Sequence, residues 1–108
     1  MYNVFIVPFH VKRGVKSIMP INIIGAYVSC YVTADNYELA VKKCLSALQR
    51  DGMQVEEILQ PICSMSIADW SKHIAEQWPD QASQLPSQQE FESTLKDGNV
   101  VYGPFGSY

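Results

Sequence analysis

The chain has 108 residues, 47% of them hydrophobic and 18% charged, with a formal net charge of -3. That length supports one domain, residues 1–108, whose core hides roughly 65% of the unfolded surface without help from metals or disulfides. The charge balance disfavours general nucleic-acid binding. No apolar run reaches membrane-spanning length, and residues 1–11 lack the basic leader and small-residue cleavage site of a signal peptide, so a cytoplasmic location away from the membrane is expected.

Residues 2–11 are mostly apolar and β-branched or aromatic, which predicts a strand that passes or bends at Pro8. Lys12, Arg13 and Lys16 then fall within five positions, around Gly14 and beside His10. Basic side chains and loop amides in such a segment can hold an anion, making His10, Lys12, Arg13 and Lys16 the candidate ligand-binding set. The plainer alternative is a solvated connection between strands.

Residues 23–33 alternate between two faces. Ala26, Val28, Cys30 and Val32 make one small apolar face, suited to close approach by a helix. Tyr27, Ser29, Tyr31 and Thr33 make the other, where two phenols need water or partners. Asp35 with Glu38 forms a capping-box pattern that predicts a helix starting near Asn36. Tyr37, Val41, Cys44, Leu45 and Leu48 form its apolar stripe, with Lys42, Lys43, Ser46, Gln49 and Arg50 opposite. Gly52 ends it through a left-handed conformation. Residues 53–60 read as a strand whose Glu56 and Glu57 lie near an edge or bulge.

Ser66 and Asp69 mark a second helix start, with Ile67, Trp70, Ile74 and Trp78 at helical spacing and Pro79 beyond its end. The two tryptophans read as core before they read as a ligand platform. His73 follows Asp69 by four positions, an acid-assisted imidazole or an ordinary exposed helix pair. Ser87 and Glu90 cap a third short helix carrying Phe91 and Leu95, and residues 97–99 turn the chain into a last strand at residues 100–102. The three cysteines, Cys30, Cys44 and Cys63, lack metal-ligand or disulfide spacing and read as reduced thiols, the first two in the core.

These elements predict an α+β fold, a four-stranded, mostly antiparallel sheet with its helices on one face. The layout resembles a variant of the ferredoxin-like sandwich, with an opening strand pair that departs from the strict βαββαβ order. That resemblance concerns layout and names no activity.

Charge is split unevenly: residues 1–50 hold six basic and two acidic side chains, residues 51–108 two and nine. The halves thus carry +4 and -7, a polarity that can steer partners. There is no phosphate loop, metal-ligand cluster or nucleophile elbow, so neither cofactor nor metal is expected. The leading expectation is a protein-interaction or regulatory module: a homodimer, or a binder that neutralises another protein as an immunity protein does a toxin. Tyr27, Tyr31 and Tyr102 are its candidate interface, since amphipathic aromatics favour interfaces. A small-anion binder using residues 10–16 is the alternative. A small ferredoxin-like enzyme with Tyr27, Tyr31, Tyr102, His10 and Cys63 around a pocket over the sheet is a third.

Overall fold

The computed structural model describes residues 3–13 and 24–107, apart from the side chains of Arg13 and Ser107. In chain order its elements are β1 (Asn3–Arg13), β2 (Gly25–Thr33), α1 (Tyr37–Arg50), β3 (Met53–Ile58), β4 (Cys63–Ser66), α2 (Trp70–Gln77), α3 (Gln88–Lys96), β5 (Val101–Tyr102) and β6 (Gly106–Ser107). Single 3-10 turns at Ile67–Asp69 and Ala82–Gln84 precede and follow α2.

β1 and β2 form the long antiparallel centre of the sheet, from Val4 opposite Thr33 to Lys12 opposite Gly25. β4 pairs with residues 3–6 of β1, and β3 with residues 9–13 along the same edge. β5 and β6 likewise share the outer edge of β2. All pairings are antiparallel, and the segments outnumber the expected four strands because each outer lane is broken in two.

Pro8 shows how a break is accommodated. In an antiparallel strand a residue's N–H and C=O point to the same neighbour. The Pro8 carbonyl accepts from the Leu59 amide at 2.9 Å, so its missing amide proton faces the gap between β3 and β4, where no ladder bond is lost. The register shifts between His10 and Val11, leaving Glu56 as the extra residue of β3. That is the edge bulge anticipated for the Glu56 and Glu57 pair.

The expectation of helices on one face is corrected. Val7, Phe9, Val11, Ala26, Val28, Cys30 and Val32 pack beneath Ala40, Cys44 and Leu48 of α1. The alternate positions, Val4 and Tyr31, pack with Val101 of β5 beneath Trp70 and Ile74 of α2 and Phe91 and Leu95 of α3. The sheet is therefore covered on both faces. The sequence shows that each helix has one apolar stripe, but a stripe does not say which face of a sheet it meets.

The N-cap of helix α1 lies one residue later than predicted. Asn36, not Asp35, is the N-cap, and its Oδ1 accepts from the Leu39 amide at 2.9 Å. Both residues are good caps; Asn36 has the extended backbone that a cap requires. At the other end Gly52 adopts φ 79°, the left-handed conformation expected of it. At α3 the anticipated Ser87–Glu90 capping box is present in both directions, and these bonds from Ser87 hold the Glu90 carboxyl below its usual range.

Candidate functional site

Two of the four proposed anion-binding residues, His10 and Lys12, are engaged on the sheet. The His10 ring stacks on Tyr27 across the β1–β2 pair, with centroids 4.7 Å apart and planes 15° from parallel. Lys12 Nζ lies 3.1 Å from Glu56 Oε1, the bulged residue of β3. Lys16 and the Arg13 side chain lie outside the described residues.

The three candidate interface tyrosines do not share a surface. Tyr27 is 51% exposed, whereas Tyr31, two positions on, is fully buried. Tyr31 is enclosed by Trp70, His73, Trp78 and Phe91, each ring meeting it edge-on. Its hydroxyl lies 2.8 Å from His73 Nε2, so the phenol donates to the ring when His73 is neutral with its proton on Nδ1. Burial raises the Tyr31 phenol and lowers the His73 imidazole, partly offset for the latter by Glu76. His73 thus turns inward to Tyr31 instead of outward to Asp69.

Tyr102 pairs with Cys30 and projects to the α1 face, away from Tyr31. There its hydroxyl donates to Asp51 Oδ2 at 2.5 Å; burial first, then this bond, raises its pKa. Cys63 is exposed on β4 and pairs with Ile6. The five side chains suggested for a catalytic pocket are consequently spread over both faces and an edge.

A different site stands out at the end of the sheet where β2 gives way to α1. An open groove of about 880 Å³ runs between α1 and α3. Thr33, Ala34, Ala47, Ile67, Leu95 and Val100 line it together with Leu39, which is 41% exposed. Its charged lining comprises Lys42, Lys43, Arg50 and Lys96 against Asp35 and Glu92, a local excess of positive charge in a chain that is acidic overall.

Helical geometry explains this rim. Leu39, Lys43, Ser46 and Arg50 recur at spacings of four, three and four along α1, and so face one way. Burying Ala40, Cys44, Ala47 and Leu48 against the sheet turns that stripe outward. Lys43 Nζ donates to the Thr33 carbonyl at 3.0 Å, which holds its charge at the mouth. Arg50 Nε is 3.7 Å from Asp51 Oδ1. Among the described residues, no carboxylate lies within ion-pair distance of Lys42, Lys43 or Lys96.

The opposite wall is fixed by Gln88. Its Nε2 donates to the Ile67 carbonyl at 2.8 Å and to Glu92 Oε2 at 3.0 Å, while its Oε1 accepts from the Ser71 amide at 2.9 Å. One side chain thereby ties α3 to the segment leading into α2 and engages a groove carboxylate. Beyond Lys96, Gly98 turns the chain at φ 80°, a conformation with little cost only for glycine.

Compared with known proteins, the chain matches no family model, no curated protein and no solved structure. The polar stripe of α1 was legible as a stripe. That Lys96 and Glu92 would face it across a groove was not, because those residues lie more than forty positions away in sequence. Among the described residues, no helix is long and apolar enough to cross a membrane.

Proposed function

We propose that this protein is a non-enzymatic interaction module that docks a partner protein through the groove between α1 and α3. The observation carrying the reading is the pairing of an apolar floor with lysines that lack carboxylate partners among the described residues. Solvated lysines beside an open apolar strip are what a complementary surface can desolvate and neutralise together. Regulating or neutralising its partner is the activity such a module has. Self-association through Tyr27 and Tyr102 is a weaker form, because those two residues project to opposite faces of β2 and its neighbour.

Site-specific crosslinking tests the proposal. A photoreactive residue at Leu39 should give one discrete protein adduct in cells, and the same residue at Ser83, which is exposed and not part of the groove lining, should not. The adduct should be lost in a folded Lys42→Glu, Lys96→Glu double variant. An adduct that survives the double variant, or equal crosslinking from both positions, refutes docking in the groove.

A further inference from the structure

We infer that the groove's occupant is an acidic, amphipathic peptide segment of the partner, laid along α1 with its carboxylates toward the lysines and its apolar side chains toward Leu39, Ile67 and Val100. This rests on the docking proposal and names the chemistry of what docks.

The rim sets the size of the segment. From Lys42 to Arg50 is eight residues of helix, about 12 Å at 1.5 Å per residue. An extended peptide of about four to five residues covers that span at roughly 3.3 Å each. Carboxylates on alternate residues of such a peptide point one way, and its intervening apolar residues point the other. That alternation matches a cationic rim above an apolar floor. An apolar segment would leave Lys42, Lys43 and Lys96 desolvated without counter-charge, and a basic one would meet them directly.

Two other anions fit less well. A nucleic-acid backbone places phosphates along its whole length and would pass Asp35 and Glu92, both in the groove lining, while gaining nothing from the apolar floor. A free phosphate or carboxylate needs donors converging on one point. Here Lys42, Lys43 and Arg50 are strung along α1 with Lys96 on α3 opposite, and Lys43 is already bonded to a carbonyl.

Fluorescence anisotropy with a dye-labelled octapeptide of alternating glutamate and leucine provides the test. Its controls are a lysine-for-glutamate peptide, a single-stranded oligothymidylate and inorganic phosphate as competitor. The glutamate peptide should bind saturably and weaken as salt rises. Lys42→Glu with Lys96→Glu should weaken it at least tenfold, Leu39→Ser several-fold, and amide shifts should map to α1 and α3. Absence of saturable binding, equal binding by the lysine peptide or oligothymidylate, full competition by phosphate, or no change in either variant overturns the inference. If the peptide fails while the lysine-dependent crosslink from Leu39 persists, the docking site stands and only the acidic-peptide assignment falls. If both fail, the docking site falls as well.

Discussion

Beneath α1 the sheet presents Val7, Phe9, Val11, Ala26, Val28, Cys30 and Val32, mostly small side chains, while on its other face Tyr31 meets Trp70 of α2 and Phe91 of α3. The first layer closes by bringing backbones near one another. The second closes by ring geometry: Trp70 and Phe91 stack at 4.1 Å with planes 2° apart, Tyr31 stands edge-on to both, and Trp70 Nε1 donates to the Pro86 carbonyl at 2.8 Å. Gly103 belongs to this close fit, since a Cβ there would come 3.2 Å from Trp78 and 3.4 Å from Tyr31. Small residues tolerate a range of helix positions, whereas interlocking rings and their hydrogen bonds define one. Two layers on the same strands are thus held by different means, one mainly by area and the other by shape.

The chain also carries a separate reporter for each layer. Trp70 and Trp78 are its two tryptophans, and both lie on the ring-rich side; Cys30 and Cys44 lie on the other. Cys30 is fully buried, and contact with Cys44 and burial push its thiol above its ordinary range, so its labelling should report opening of the α1 layer.

Core truncation should give the largest effect. Phe91→Ala is expected to cost about 3–5 kcal/mol, and Leu48→Ala about 2–5 kcal/mol on the aliphatic side. Because β1 and β2 supply both layers, either loss should appear equally in tryptophan fluorescence and in labelling of Cys30 and Cys44 during denaturation. If Phe91→Ala releases the tryptophans while both thiols stay protected, the layers unfold as separate units. Cys63, exposed on β4, should label rapidly throughout.

Helix caps give a smaller contrast, one on each layer. Asn36→Ala at α1 and Ser87→Ala at α3 should each lower stability by about 1 kcal/mol. Asp35→Ala should change it by less than about 0.5 kcal/mol, as for an ordinary surface site. Denaturant midpoints decide this, and a larger loss at Asp35 than at Asn36 would move the start of α1.

Acidification should act through the ring-rich layer, where His73 lies against Tyr31. His73 has a lowered pKa in the folded state, so the unfolded chain binds more protons as pH falls below the ordinary imidazole value of about 6.5. The neutral ring's contribution is complete above that value and is lost as pH drops through the folded pKa. His73→Gln should flatten the stability profile below about pH 6.5. An unchanged slope would mean that the imidazole titrates alike in both states.

Strand alternation in β2, the Ile67, Trp70, Ile74, Trp78 spacing, the Ser87–Glu90 box and the turn at Gly52 were all readable, because each follows from chemistry within a few residues. β4 was missed: Cys63, Ser64 and Ser66 lack strand-like patterning and are held by their ladder to β1. Sequence also determined that Tyr31 and Tyr27 share a side of β2, but not that α2 and α3 reach only as far as Tyr31. That outcome depends on Trp70, His73 and Phe91, at least 39 positions away, finding the same phenol. The groove has the same origin. Local periodicity placed the lysines on one side of α1, but only long-range packing decided what faces them, because a helical stripe fixes direction relative to its own axis and carries no information about the neighbour it meets.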